Sequence, residues 1–373
     1  MRLLVAGAIA KSLLRFRGSL LAALTALGHE VHACSGEPDE ATTRALSERG
    51  IFFHPVPLER SGTNLLDDAR YALALRALLR SVDPDLVLSY TLKPAVYASL
   101  AARERGIRAA AMITGAGQAL STGGGLAAFS VSAGLRRLLA FSLSSCEVVF
   151  FQNPDDLREF VARGLASEQQ SVLLDGSGVD LNEFRASEPP LEPLRFLTMA
   201  RLLRDKGILD YAEAARGLRE HSGVRFALLG PREPGARGLS DAELDFVRTC
   251  SVDYLGETED VRPFLNECSV FVLASYYREG QPRSVLEALA SGRAVITTDA
   301  PGCRETVQSG HNGFLVPPRR PELLAQAMQR FIEDRSLVTR MGAASRRVAE
   351  LRYDVRRVNG AIIEALGLVH GAT

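Results

Sequence analysis

Lysine is nearly missing from this chain. Lys11, Lys93 and Lys206 are the only lysines among 44 basic residues. Arginines are scattered over every segment, so a single arginine is a poor functional signal and a lysine inside a motif is a better one. Net charge is also missing: 44 acidic residues balance the 44 basic ones. No global field therefore draws in nucleic acid or lipid, and any membrane contact must be a local patch. The five cysteines, Cys34, Cys146, Cys250, Cys268 and Cys303, are odd in number and unclustered, without metal-ligand spacing. That usage fits a reducing compartment. Long apolar runs are lacking too. The opening Met1-Arg-Leu-Leu-Val-Ala is too short for a signal peptide and reads as a strand. Residues 109–135 carry no charge, but Gly115, Gly117, Gly123, Gly124 and Gly125 make them a poor membrane span. No transmembrane helix is expected.

A dinucleotide oxidoreductase would need Gly-x-Gly-x-x-Gly after the first strand. Only Gly7 stands there, followed by Ala-Ile-Ala-Lys-Ser. What is present is an ordinary globular composition, 46% hydrophobic and 24% charged over 373 residues, enough for about two domains. Strands are expected at residues 2–6, 29–34, 51–56, 86–89, 109–113 and 147–152. Helices at 19–27, 44–49 and 64–81 alternate with them, and residues 7–18 read as irregular. Strand, glycine-ended helix, strand is the unit of a parallel sheet. The second half repeats the plan, with strands at 194–199, 225–229, 252–256, 270–274 and, last in the set, 294–298. A helix is expected at 207–221. Pro189, Pro190 and Pro193 stiffen a polar link within 176–193. Apolar residues Val355, Val358, Ile362, Ile363 and Leu366 give the tail helical spacing.

The most informative stretch is Ser275-Tyr-Tyr-Arg-Glu279-Gly-Gln-Pro-Arg-Ser-Val-Leu-Glu287-Ala-Leu-Ala290. It follows an apolar strand and opens a helix. Gly280 permits a tight turn and Pro282 suits the first helical position. Glu279 then lies in the loop and Glu287 in the second helical turn. Between them, Gly280, Gln281, Pro282, Arg283 and Ser284 form a helix start whose N–H groups hold an anion. A carboxylate on each side of a phosphate site suits a sugar diphosphate nucleoside: sugar at Glu279, diphosphate at the helix start, ribose at Glu287. Departure of a nucleoside diphosphate leaves negative charge, which cations must stabilise. Met199-Ala-Arg201-Leu-Leu-Arg-Asp-Lys206-Gly207 supplies them just past a strand.

These residues resemble the acidic and basic pairs of retaining glycosyltransferase family 4. The resemblance implies an α/β GT-B fold: two Rossmann-like doubly wound domains facing a central cleft, with a C-terminal helix crossing back to the first. The domains would be 1–183, binding acceptor, and 184–353, binding donor, with 354–373 packing back. Glu279, Arg201 and Lys206 are the expected catalytic residues. Arg204, variable in the family, is expected to be solvated. Asp253-Tyr-Leu255-Gly256 lies where the family holds the base against backbone. Asp175-Gly-Ser-Gly-Val-Asp180 and Pro301-Gly-Cys-Arg-Glu305 with Gly313-Phe-Leu-Val-Pro317 also resemble it; Glu305 either reaches the donor end or, as is commoner for a loop carboxylate, is simply solvated. The other major glycosyltransferase fold would carry a metal-binding Asp-x-Asp at a strand's carboxyl end. Asp83-Pro-Asp85 has those letters but precedes its strand.

Phe16-Arg17-Gly18, Gly62-Thr-Asn64, Tyr90-Thr-Leu-Lys93-Pro94, Ile113-Thr-Gly-Ala-Gly117 and Phe150-Phe-Gln-Asn153-Pro-Asp-Asp156 narrow the resemblance. They look like the branch with bacterial transferases that add N-acetylgalactosamine to a sugar on undecaprenyl diphosphate. That implies a hexosyltransferase using a UDP-sugar donor, no other cofactor and no metal. The implied acceptor is a lipid-linked saccharide, met from the cytoplasm by peripheral contact at the inner face of the membrane. Arg17 and Lys93 would meet the acceptor diphosphate, with Thr114 and Gly115 beside the reacting sugar, where many members carry a histidine. Residues 125–146 set Leu126, Phe129, Leu135, Leu138, Leu139 and Phe141 beside Arg136 and Arg137. They form a helix lying either at an anionic surface or in the core. Two further readings stay open: transfer to a soluble acceptor, and non-catalytic binding of a nucleotide sugar.

Overall fold

The structure is a computed structural model. It describes residues 1–36, 39–58, 64–115 and 126–369, without the side chains of 65, 126–133 and 135. The expectations at Gly62, Gly117, Gly123, Gly124 and Gly125, and for the side chains of Leu126, Phe129 and Leu135, lie outside the described residues.

Among the described residues the strands form two sheets, every pairing parallel. The first contains β1 (Arg2–Ile9), β2 (Glu30–Gly36), β3 (Phe52–Pro55), β4 (Leu86–Tyr90), β5 (Arg108–Ile113), β6 (Val148–Phe151) and β7 (Ser171–Leu173), in the order 3-2-1-4-5-6-7. The second contains β8 (Leu194–Met199), β9 (Val224–Leu229), β10 (Val252–Tyr254), β11 (Val270–Leu273), β12 (Ala294–Thr298) and β13 (Gly313–Val316), in the order 10-9-8-11-12-13. Central strands such as Val270–Leu273 and Ala294–Thr298 are buried at every position, which is why they read as unbroken apolar runs.

Three expectations need correction. β1 runs on through Gly7 to Ile9, and helical turns follow where irregular chain was expected. The register with β2 shifts between Ala6 and Ile9, so pairing resumes after an irregularity that the sequence pattern hides. β13 adds a strand beyond the one expected to close the second set, and the short edge strand β7 was not expected at all.

The chain divides into two compact units, Met1–Ser177 with Arg356–Thr373, and Gly178–Val355. The first boundary falls a few residues before the expected 183–184 junction. Val179, Leu181 and Phe184 bury in the core of the second unit, and Val179 bridges to Asp354. The final helix, Val355–Ala365, joins the first unit's core through Val358, Ile362 and Ile363, and Leu366 just past its end joins the same core. Asn359 donates to the Ser19 hydroxyl at 3.0 Å, and Arg108 donates to the carbonyl of Leu366 at 2.9 Å.

Candidate active site

Each strand order reverses at one place, between β1 and β4 in the first unit and between β8 and β11 in the second. The loops leaving the carboxyl ends of those strands diverge to opposite faces and leave a crevice. In the second unit the two loops are fastened together. Tyr276 N–H donates to the Asp205 carbonyl at 3.0 Å, and the Tyr276 hydroxyl donates to the Arg204 carbonyl at 2.9 Å. Gly207 takes φ +71, and a Cβ there would lie 1.9 Å from the Ala274 carbonyl oxygen. That contact lets the loop after β8 press against the end of β11.

Lys206 and Glu279, 73 residues apart, meet as a result, with Nζ 2.5 Å from Oε1. Lys206 is 8% exposed, and its ammonium also sits 5.2 Å from the centre of the Tyr277 ring. The Glu279 loop is backed by Gly302, at φ +86, where a Cβ would lie 1.7 Å from the Gly280 carbonyl oxygen. Close approach of the two loops therefore requires glycine at 302. Pro282 is the N-cap of the helix Arg283–Ala290, not its first residue, and it supplies no side-chain cap. Glu287 is buried on this helix and accepts from Arg283 Nε at 3.0 Å. Arg283 also donates to the Gly178 carbonyl at 3.3 Å. Gln281 is buried beside them.

Arg201 lies at the same carboxyl edge, paired with Glu233 at 3.2 Å and not with Glu279. Leu255 is exposed, and Gly256 accepts from the Gly230 N–H at 2.7 Å, which seats both beside the end of β9. Arg204 is partly exposed, as expected, but it is not only solvated. It makes two 2.6 Å bonds to Glu243, whose carboxyl this guanidinium lowers to about 2. Its helix, Asp241–Thr249, begins at a Ser240 capping box that brings Glu243 to the loop. Nor is Glu305 simply solvated: its Oε2 accepts from the Gly302 N–H at 2.8 Å. Asp85 accepts from the Arg2 backbone N–H and Asp83 from Arg105, so this pair does structural work.

In the first unit the four expected acceptor residues share the carboxyl edge of β1, β4 and β5. Arg17 is buried, 3% exposed, with its guanidinium 5.3 Å from the centre of the Tyr90 ring. Tyr90 fits only because Gly7 is a glycine, since a Cβ would lie 2.2 Å from its hydroxyl. Lys93 reaches Asp68 at 2.8 Å, and the Tyr97 hydroxyl donates to the same carboxylate at 3.0 Å. Thr114 and Gly115, the latter at φ +129, follow β5.

Two family profiles match. Residues 193–334 match the family described as "Glycosyl transferases group 1", and residues 15–176 match the "Glycosyl transferase 4-like domain". Together they span most of both units. The chain belongs to this glycosyltransferase family. A Campylobacter jejuni relative, N,N'-diacetylbacillosaminyl-diphospho-undecaprenol alpha-1,3-N-acetylgalactosaminyltransferase, is 26% identical over 92% of this chain and 92% of its own length. The Staphylococcus aureus capsular polysaccharide biosynthesis glycosyltransferase CapM is 24% identical over 80% of each chain. Among solved structures, Anabaena HepE in complex with UDP superposes with TM-score 0.75 at 19% identity, over 99% of this chain and 100% of that one. Sucrose-phosphate synthase from Thermosynechococcus elongatus gives TM-score 0.79 at 16% identity, over 99% and 100%. The fold of this glycosyltransferase is GT-B.

Sequence reasoning missed the shell that orients the glycosyltransferase's cations. Arg237 pairs with Asp205 at 2.5 Å and stacks 5.2 Å from the centre of the same Tyr277 ring that Lys206 meets. Glu233, the partner of Arg201, comes from the same 230–238 segment. A Gly230-Pro-Arg-Glu-Pro-Gly run signals a turn, but nothing in it says that the turn folds back onto Arg201 and Asp205.

Among the described residues no helix is long and apolar enough to cross a membrane. In the helix Leu126–Leu143, Leu139 and Leu143 pack into the first unit's core, while Arg137 and Phe141 are exposed. Arg103 lies 4.2 Å from the centre of the Phe141 ring. One side of this helix therefore faces the core and the other faces out. All five cysteines are buried and unpaired.

Proposed function

We propose that this glycosyltransferase moves a sugar, an N-acetylhexosamine, from a UDP-sugar to a polyprenyl-diphosphate-linked saccharide during assembly of a cell-surface glycan. The observation that carries the reading is the Lys206–Glu279 pair beside the uncapped start of the helix that bears Glu287. The diphosphate sits at that helix start, between Lys206 and Arg201. Glu287 takes the ribose, and Leu255 and Gly256 flank the base. The C. jejuni relative, named for an undecaprenol-linked acceptor and matched over nearly its full length, supports the lipid-linked acceptor. HepE, whose structure holds UDP, supports a uridine donor.

The chemistry follows from where charge develops. As the glycosidic bond to the diphosphate lengthens, negative charge grows on the leaving phosphate oxygen. Lys206 and Arg201 stabilise it, together with N–H groups at the helix start, with no reorganisation at the moment of reaction. These cations do the work that a divalent ion does elsewhere, so the reaction is metal-independent. The diphosphate leaves the anomeric carbon, the acceptor hydroxyl bonds to that carbon on the same face, with retention, and the leaving phosphate oxygen takes the acceptor's proton. Glu279 holds the sugar hydroxyls and keeps Lys206 in place. Arg17, Lys93, Thr114 and Gly115 mark the acceptor end, and Arg137 with Phe141 marks the surface that meets an anionic bilayer.

Incubation of the purified chain with radiolabelled UDP-N-acetylhexosamine and a polyprenyl-diphosphate-linked saccharide tests this. Label should enter the organic phase with release of UDP. Transfer to a water-soluble saccharide alone would replace the acceptor, and donor binding without transfer or hydrolysis would make the chain a binding protein.

A further inference from the structure

The geometry points to a second anion site in the donor unit, at the opposite edge of its sheet, taking a phosphate-class oxyanion through Arg293. Arg293 is 0% exposed, among the largest fully buried side chains of the protein. Its guanidinium has one hydrogen bond, from Nη2 to the Ser187 hydroxyl. Nε and Nη1 are buried without a partner among the described residues. Among the described residues no carboxylate pairs with it. Cys268 lies nearby, but burial pushes its thiol up to about 12, so it offers no counter-charge at neutral pH. The carbonyls of Phe184 and Ala290 already accept from Arg346, at 2.9 and 2.7 Å. A guanidinium keeps its proton in proteins, and burying a charge without a partner is costly. The side chain is thus built for an anion that the protein itself does not supply.

A place for that anion lies against the same serine. A pocket of about 400 Å³ is lined by residues 182–187, Arg262, Asn266 and Ser291. That volume falls within the range of small-ligand sites, roughly 300–1,000 Å³. Ser187 is exposed, and its hydroxyl stands between the guanidinium and the pocket, donating to Asn266 Oδ1 at 3.1 Å. Rotation of this one side chain opens Arg293 to an oxyanion in the pocket. The rim is basic: Arg185 and Arg262 are both exposed there. Glu183 also lines it, and Arg262 pairs with Asp260 at 2.7 Å, so the buried Arg293 is what leaves the site positive. Asn182, Asn266 and Ser187 supply neutral donors for the remaining phosphate oxygens. Asn266 and Ser291 precede β11 and β12, so the pocket sits at the amino ends of the strands. Lys206 and Glu279 lie at the carboxyl ends, and the two sites cannot share one ligand.

Calorimetry and thermal unfolding of the full chain, with Arg201→Ala and Lys206→Ala present to silence the donor site, test the proposal. The probes are inorganic phosphate and glucose 1-phosphate, with chloride at matched ionic strength as control. Phosphate should bind and raise the unfolding temperature. Arg293→Met should weaken it by roughly ten- to a hundredfold, the value of one charge-assisted contact. In phosphate-free buffer the same variant should unfold at the same temperature or higher, because an uncompensated buried charge is gone. Should Arg293→Met fail to fold, Ser187→Phe, which fills the pocket, must abolish binding, and Arg185→Glu with Arg262→Glu must weaken it. Glucose 1-phosphate binding as well as inorganic phosphate would place the sugar in the pocket. Binding of inorganic phosphate alone would make the free ion the ligand. Equal phosphate affinity with and without Arg293 or with Ser187→Phe, or no phosphate binding by the folded chain, overturns the site.

Discussion

Replacing Lys206 with alanine separates catalysis from packing. In the wild type the ammonium is held by Glu279 at 2.5 Å and by the Tyr277 face at 5.2 Å, so it is in position before donor arrives. One charge-assisted hydrogen bond to the departing diphosphate contributes about 1.5–3 kcal/mol. At 1.36 kcal/mol per decade, kcat/KM should fall roughly 10- to 100-fold. The same change takes a cation from a carboxylate that is mostly buried: the two side chains are 10% and 19% exposed. Exposed pairs contribute about 0–1 kcal/mol, and breaking a fully buried pair costs about 3–5 kcal/mol. This pair lies between those limits, so stability should drop by about 1–3 kcal/mol. The double variant Lys206→Met with Glu279→Gln neutralises both partners at similar volume. It should recover most of the stability and none of the activity. Urea unfolding and initial rates of transfer at subsaturating donor measure the two quantities. Full kcat/KM in Lys206→Ala, or activity returning in the double variant, would refute the assignment of Lys206 to the leaving group.

Transfer should persist in EDTA; complete loss restored by magnesium or manganese would show that the cations do not suffice. Gly207→Ala should destabilise by about 3 kcal/mol or more, since a left-handed backbone penalty adds to a Cβ 1.9 Å from a carbonyl oxygen. An unchanged urea midpoint would mean that the 207–274 contact relaxes freely. Glu243 is lowered from 4.5 to about 2 by Arg204 and the Ser240 N–H. Its stabilisation is present above pH 4.5 and lost as pH falls towards 2, so the gap between wild type and Glu243→Gln should close across that window. A gap of constant size through that window in acid titrations would contradict it. Arg136→Glu with Arg137→Glu should reduce sedimentation with anionic vesicles, and raised salt should reduce it again. An unchanged bound fraction in both would remove this helix from the membrane proposal.

Much of the fold was legible because parallel strands buried on both faces leave apolar runs that no helix period explains. β8 and β12 were expected at the residues they occupy. β7 was not, because its three residues are partly exposed at an edge and carry no such run. The Glu279 and Lys206 motifs were legible because each sits just past a strand.

Sequence alone determined the alternation of strand and helix, the balance of charge, and which residue types stand at strand ends. Tertiary structure decided their partners. The reversal of strand order between β8 and β11 puts Lys206 on Glu279 across 73 residues. Gly207 and Gly302 mattered only once a neighbouring carbonyl came within 2 Å of where a Cβ would be. Arg204 and Arg201 were indistinguishable as letters, and the turns that deliver Glu243 and Glu233 gave each its carboxylate. A local pattern encodes which way a side chain points along its own element, but which charge it meets depends on long-range contacts with no period in the sequence.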